Sequence, residues 1–588
     1  MTKYVIGIDL GTTHTALAYA EVTDAPAIRV LSIPQLVAQG AIESRELLPS
    51  FFYVAHASDG PQALPWDSTR TYAVGEHARA RGVDAPARVI TSAKSWLCHP
   101  TVDRRAGILP LGAPKDVERI GPVEASWRYL EHLVEAWAHV VGGEPLTKQS
   151  VVLTVPASFD AAARELTTEA AYAAGFEDLT LLEEPQAALY AWLANRGEAW
   201  RKDVKPGDVI LVVDVGGGTT DFSIINAVEK EGRLELERVA VGDHILLGGD
   251  NMDLLLAHMV EQKLGVELDR WQKVALQHAA RSAKESLLGN PDAKSSQIAI
   301  AGKGSKLIGS TLRAELTREE VATSIVDGFF PLVSADARPA ARARAALTQL
   351  GLPYAQDPAV TRHLAALLAR HGTDGKSLQP TRILFNGGVM KSEVLRERLS
   401  ACVDGWLEAA GAERATVLEG ADLDLAVARG AAAYALARRG KGIRIRGGTG
   451  RAYYVGIEGA MPAVPGVEPP VTALCVAPMG MEEGTHADVA SDELGVVVGE
   501  KVRFRFFGST VRKDDVVGTS LQRWKGELEE LTPIEVDLPA EGRAEGDVVP
   551  VTLRSTVTEV GTLLLEAVPL SPKKPDERWK VELGVRSE

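Results

Sequence analysis

The sequence predicts an α/β unit followed by an all-β unit. Short apolar strands alternate with helical stretches from residue 1 to about 225. An acidic glycine hairpin occurs twice, in "YVIGIDLGTTHTALAYA" from Tyr4 and "VILVVDVGGGTTDFSII" from Val209. Beyond about residue 440, apolar and polar residues alternate with a period of two between turn residues.

The elements come in this order. "VVLTVPASF" (151–159) reads as a strand. "DAAARELTTEAAYAAGF" reads as a helix, with Asp160 as N-cap and Gly175 as C-terminal stop. "LTLLEEPQAALYAWLAN" (179–195) reads as a short strand and then a helix with Pro185 in its first turn. From about 250 to 330 the pattern is mostly helical. "RPAARARAALTQL" and "AVTRHLAALLARHG" predict two further helices, a helical insertion near 331–375. "TRILFNGGVM" returns to a strand and a glycine turn. "DLDLAVARGAAAYALARR" predicts a small-residue helix capped by Asp422 or Asp424. "RRGKGIRIRGGTG" is basic and glycine-rich, as a linker would be. The runs "RAYYVGIE", "VTALCVA", "LGVVVGEKVRFRFFGS", "PIEVDLPA", "VVPVTLRSTV", "GTLLLEAVPL" and "RWKVELGVR" then predict an antiparallel sheet or sandwich.

A net charge of −15 argues against nucleic-acid binding, because a polyanion needs a basic face. Cys98, Cys402 and Cys475 lie far apart, without metal or disulfide spacing, and read as buried small hydrophobes in a reducing compartment. No apolar run approaches the roughly 18 residues of a membrane helix. The start, "MTKYVIGIDL", lacks the apolar core of a signal peptide. A cytoplasmic location without membrane or nucleic-acid partners is therefore expected.

The hairpins carry the chemistry. A Gly/Thr turn presents successive backbone N–H groups to an anion, and glycine lets a phosphate approach the backbone. The Asp before the turn repels phosphate but holds a cation, or the water shell of Mg²⁺, which bridges to the phosphates. One such hairpin is more often plain turn chemistry. Two, each with Asp before the turn, suggest duplicated halves gripping one nucleotide, with the metal between Asp9 and Asp214.

In the order "GIDLGTT", "VVDVGGGTTDFS", "ILFNGGV", "DLDLAVARGAA", the sequence resembles the actin-like ATPase superfamily. Within that superfamily, "VVLTVPASFDAAARELTTEAAYAAGF" and "LLEEPQAALYAW" resemble the DnaK-type chaperones, the seventy-kilodalton heat-shock proteins. The resemblance covers roughly residues 1–440 and fades over 441–588. It implies a two-lobed actin-like (ribonuclease H-like) ATPase domain at 1–440. A sandwich-like antiparallel β-domain at 441–588 would then bind peptide. It also implies ATP/ADP and Mg²⁺ as cofactors, slow ATP hydrolysis, and unfolded or extended polypeptide clients. Co-chaperone and nucleotide-exchange partners belong to the same expectation.

Residue by residue, the resemblance makes Asp9, Gly11, Thr12 and Thr13 the first phosphate motif. Gly216, Gly217, Gly218 and Thr219 form the second. Asp9 and Asp214 match the metal-water carboxylates, Lys94 the lysine that orients the attacking water, and Glu184 and Asp221 further catalytic acids. Gly248, Gly249, Gly387, Gly388 and Asp424 fall in nucleotide-contacting motifs. Pro156 and Arg164 match a proline switch and arginine relay.

Three departures stand out. The adenosine helix of the family reads Glu-x-x-Lys-Arg, whereas "RSAKE" places Arg281 first and Glu285 last, with Lys284 kept. The two share a helix face, so Arg281 is expected over the adenine unless base recognition is weakened. Lys391 replaces a second stacking arginine and lacks its flat plane. The linker lacks the family's leucine-rich strand, and the helical lid is expected to be missing. The alternatives are a nucleotide-dependent scaffold or filament protein and a small-molecule kinase of the same superfamily.

Overall fold

The two hairpins found in the sequence seed two sheets built to one plan. In this computed structural model, β1 (Tyr4–Leu10) pairs antiparallel with β2 (His14–Glu21) and parallel with β3 (Ser150–Val155). The helix α1 (Ala161–Ala173) comes next, and β4 (Asp178–Glu183) pairs parallel with β3. The strand order is β4-β3-β1-β2, with Arg29–Val30 at the edge. After α2 (Glu184–Arg196), β5 (Val209–Val215) pairs antiparallel with β6 (Thr220–Lys230) and parallel with β7 (Arg382–Asn386). Arg233–Val241 and Thr416–Val417 flank this second sheet. Apart from Asp9 and Asp214, the central strands β1 and β5 are largely apolar because neighbours cover both faces.

The structure describes residues 2–584 except 231–232, 243–244, 291, 303–310, 341–350, 373–375, 421, 442–448, 450, 461–468, 483, 510, 513, 532, 559–561 and 575–576. It divides into one unit of Met1–Leu234 with Val241–Arg444 and another of Glu235–Ala240 with Ile445–Glu588.

Caps obey local chemistry. Asp160 accepts from the Ala163 N–H at 2.7 Å and starts α1, and Gly175 takes φ +92° just past its end. The stretch 250–330 is less helical than expected. Between α3 (Gly249–Leu264), α4 (Arg270–Gly289) and the helix Arg318–Phe329 lies a two-stranded ribbon, Ser295–Ala301 with Thr311–Thr317. Its alternation is short, and only Ile298, Ile300 and Leu316 are buried. Of the two helices expected at 331–375, one forms at Val360–Arg370. The other falls largely outside the described residues, as does the linker.

The small-residue helix, α5 (Ala426–Arg438), is capped by neither Asp422 nor Asp424 through its side chain. The Asp422 carbonyl instead accepts from the Ala426 N–H at 2.7 Å. The composition of α5 reflects backbone-to-backbone packing. A Cβ on Gly430 would lie 1.7 Å from the Ala187 carbonyl oxygen in α2, and one on Gly7 of β1 would lie 2.3 Å from the Ala428 oxygen.

Among the described residues the second unit holds two larger antiparallel sheets and a two-stranded ribbon, Lys501–Phe504 with Ile534–Asp537. One is ordered Ser520–Leu521, Val471–Ala477, Ala452–Glu458, Phe506–Ser509, Glu529–Glu530. The other runs Thr485–Val498, Asp547–Val557, Thr562–Pro569, Trp579–Gly584. Tyr453, Val455 and Leu474 from the first meet Val496, Leu565 and Trp579 from the second in one buried cluster. Inward residues at alternate positions of both sheets make a sandwich core.

Candidate functional site

The hairpins are geometric duplicates. Gly11 N–H donates to the His14 oxygen at 3.1 Å, and Gly216 N–H to the Thr219 oxygen at 2.9 Å, each two residues after its aspartate. They face one another closely enough to explain their glycines. A Cβ on Gly217 would sit 2.2 Å from Thr13 Cγ2, and one on Gly218 would sit 2.5 Å from Ser95 Oγ and 3.0 Å from Thr12 Cγ2. The N-terminus of α3 closes onto the second hairpin, with Gly249 N–H on the Gly216 oxygen (3.0 Å) and Asp250 N–H on the Gly217 oxygen (2.7 Å). A 16-residue helix thus brings its partially positive end to the turn. A Cβ on Gly248 would lie 2.6 Å from the Gly216 oxygen. Gly387 takes φ +86° where any side chain would strike Asp214.

One cavity of about 400 Å³ lies between these elements. Of the residues expected at the site, all but Lys94, Asp221, Gly218 and Gly248 line it.

Register carries the duplication into the side chains. Asp9 lies opposite Thr154 in β3, whose hydroxyl donates to Asp9 at 3.4 Å. Asp214 lies opposite Asn386 in β7, whose amide donates to it at 2.8 Å. Thr154 and Asn386 were not singled out in the sequence, although each is a polar residue ending an apolar strand. Lys94, 4% exposed in the short helix Ala93–Trp96, is ion-paired with Glu184 at the start of α2. Asp221 accepts from the Ser158 N–H at 3.1 Å. Arg164 donates to the Ala157 oxygen at 3.2 Å, beside Pro156, and lies 3.6 Å from the buried Glu183 carboxylate.

Burial, and then the neighbouring Glu184 charge, pushes Asp9 up to about 7. The same causes push Asp214 well above the carboxylate range. Burial also raises Glu184, against the pull of Lys94. This excess of buried negative charge over one lysine suits a dication. The oxygen-only donors suit Mg²⁺. Among the described residues no three His, Cys, Asp or Glu side chains converge to ligate a metal directly. Asp9 and Asp214 are the two carboxylates expected to face Mg²⁺ and its water shell.

At the opposite end of the cavity the Arg281 guanidinium, expected over a base, is engaged by two aspartates. It is buried and pairs with Asp250 and with Asp253 (2.6 Å), both in α3, with Phe51 5.6 Å from its centre. Lys284 reaches Asp253 at 2.6 Å and the Gly249 oxygen at 3.0 Å. Burial works against the Asp253 charge, but Lys284 and Arg281 together hold its carboxyl below the usual range. The exchanged charge of "RSAKE" is thus answered by the aspartates of "GGDNMD", which the sequence reading did not connect. Glu285 is half-exposed and lies 3.4 Å from Arg79. Lys391 and Asp424 form an ion pair across the cavity wall. Burial, reinforced by Arg79, drives His14 down to about 3, so its ring is neutral.

The sequence profile described as Hsp70 protein matches residues 61–335. The chain is 28% identical over 419 residues to the chaperone protein HscA of Cronobacter sakazakii, covering 67% of this chain and 58% of that protein. It is 29% identical to HscA of Pectobacterium atrosepticum over the same shares of each chain. The HscA homolog of Acidithiobacillus ferrooxidans is 34% identical over 298 residues, 48% of this chain and 42% of that one. The matches thus span between 42% and 58% of the length of these relatives. With its motifs falling in the same order around one cavity, the chain is similar to the DnaK-type, or Hsp70, chaperones.

Proposed function

We propose that the chain binds ATP with Mg²⁺ in the cavity between the hairpins and hydrolyses it slowly. This cycle is coupled to binding of extended or unfolded polypeptide by the β-rich unit. The observation that carries the first half is the pair of hairpins in contact at Thr13 and Gly217, backed by the buried Lys94–Glu184 pair.

The turns supply backbone N–H groups and threonine hydroxyls to the phosphates. Lys94 orients the attacking water, and Glu184 fixes the Lys94 ammonium. Asp221 is held by the Ser158 amide at the end of β3, next to Pro156 and the Arg164–Glu183 pair. That contact gives a route by which the phosphate site reaches the turn after β3. Mg²⁺, when bound, neutralises charge between the phosphates and the two aspartates. Phosphoryl transfer needs little more than such positioning and neutralisation.

The second half is supported by the names of the relatives, which are chaperone proteins. The sandwich also has edge strands, Ser520–Leu521 and Glu529–Glu530 among them, to which an extended peptide can add. Co-chaperone and exchange-factor partners belong to the same family reading.

Calorimetric ATP titration with and without Mg²⁺, beside a single-turnover assay, tests the first half. Mg²⁺-dependent binding with slow phosphate release is expected, and absence of binding at millimolar ATP would refute it. Fluorescence anisotropy with an unfolded client, with ATP and with ADP, tests the second half. Nucleotide-dependent release rates are expected, and no binding to any client would favour the scaffold alternative.

A further inference from the structure

We propose that residues 351–355 form a positioning strap that holds the Lys94 helix against the second hairpin. The proposal rests on the nucleotide reading above. These residues lie within the stretch 331–375 read as an insertion, between its two predicted helices, and no motif of the resemblance covers them.

One end of the strap is fixed to the Lys94 helix. His99 N–H donates to the Trp96 oxygen at 3.1 Å, and the two rings stack at 5.3 Å with an 8° interplanar angle. His99 Nε2 is 3.0 Å from the Gly351 carbonyl oxygen, and the Thr101 N–H donates to Nδ1 at 3.3 Å. Both bonds are satisfied by a neutral ring carrying its proton on Nε2. Leu352 packs against the first-sheet core that also contains Trp96.

The other end is fixed to the second hairpin. Ala355 N–H donates to the Leu246 oxygen at 3.1 Å. The next carbonyl, Leu247, accepts from the Thr220 hydroxyl at 2.7 Å, at the exit of that hairpin. Burial and then the Asp250 charge raise the Tyr354 hydroxyl. Asp357 anchors the chain on the far side of the strap. It is buried, accepts from the Ala359 N–H (2.9 Å) and pairs with Arg362 (2.9 Å) on the helix Val360–Arg370.

A second tie runs parallel to the strap. Ser92, held at φ +52° at the head of the Lys94 helix, donates to Asp250 at 2.5 Å. A non-glycine residue at positive φ persists only where surrounding contacts hold it. The strap therefore closes a loop of contacts from Lys94 through Trp96, His99 and Leu352 to Leu246 and the second hairpin. Separating the hairpins to release nucleotide must strain or detach it.

The test uses the full chain and a fluorescent N-methylanthraniloyl ADP. Leu352→Ser removes the apolar anchor, His99→Phe keeps the ring but loses the bond to Gly351, and Leu352→Met is the conservative control. Dissociation should be roughly tenfold faster for Leu352→Ser and about threefold faster for His99→Phe, because such contacts gate release. Leu352→Met should match wild type. A purely structural role would lower the melting temperature without changing release.

Wild-type release from folded Leu352→Ser would overturn the strap. If that variant does not fold, wild-type release from His99→Phe overturns it. If wild type itself binds no ADP analogue, the nucleotide reading fails instead. Hydrogen exchange without nucleotide then decides: faster exchange at the Gly249 and Asp250 amides in His99→Phe supports the strap, and unchanged exchange refutes it.

Discussion

The hairpin end and the helix end of one cavity are built on opposite principles. At the hairpin end, glycines bring two backbones into contact and the buried carboxylates outnumber the lysine beside them. At the helix end, Arg281 and Lys284 are matched by Asp250 and Asp253, so the buried charges balance. On the proposed function, the unbalanced charge is where Mg²⁺ and the phosphates would bind. The balanced charge joins helices α3 and α4. Buried groups held away from their ordinary ionisation cluster at working sites, whereas structural ion pairs satisfy one another.

Lys94→Ala should have the largest effect, because it removes the one cation from the unbalanced end. Single-turnover hydrolysis should fall on the order of a hundredfold or more, as when a group acting on the transition state is lost, with ATP affinity changed little. An unchanged rate would remove Lys94 from the chemistry.

Arg281→Ala tests the balanced end. It leaves Asp250 and Asp253 short of a partner in the interior, at a cost of about 3 kcal/mol in stability. Denaturant unfolding measures this. A loss of ATP affinity with unchanged stability would restore the base-stacking role for Arg281. Lys391→Ala breaks an ion pair open to solvent and should cost less than about 1 kcal/mol.

A finer comparison lies within the second hairpin. Gly217→Ala places a methyl 2.2 Å from Thr13, whereas the nearest atom to the same methyl on Gly216 is 3.6 Å away. Gly217→Ala should weaken ATP roughly tenfold, in line with overpacking costs of about 1–3 kcal/mol, and Gly216→Ala should be nearly silent. Equal affinities in calorimetry would mean that the hairpins do not need to touch. The bulkier Gly217→Asp should abolish binding in a folded protein.

The smallest effect concerns protons. Asp9 is raised in the folded chain to about 7, from an ordinary value near 3.8. Its contribution to stability is therefore fully present below about pH 3.8 and lost as pH rises toward 7. Mg²⁺ competes with that proton. Added Mg²⁺ should raise the melting temperature by a few degrees at pH 8 and by less at pH 6. Equal increments at both pH values would show that Asp9 does not face the ion.

What could be read along the chain was local. The hairpins, the cap at Asp160, the stop at Gly175, the apolar central strands and the alternating tail each depend on neighbours within a few residues. So do Asp9 and Asp214, which end strands recognisable from composition. The ribbon at Ser295–Ala301 and Thr311–Thr317 was missed because a short half-exposed alternation competes poorly with the helices around it.

The sequence by itself determined two acidic glycine hairpins, the strands that carry them, and a β-rich second unit. The tertiary structure alone decided which charges are spent on one another. Arg281 meets aspartates 28 and 31 residues away, Ser92 meets Asp250 across 158, and His99 meets Gly351 across 252. The physical reason is that a side chain's charge is visible in the sequence, but its partner is set by which backbones pack together. Here that packing is governed by glycines 7, 217 and 430, whose missing side chains let strands and helices approach.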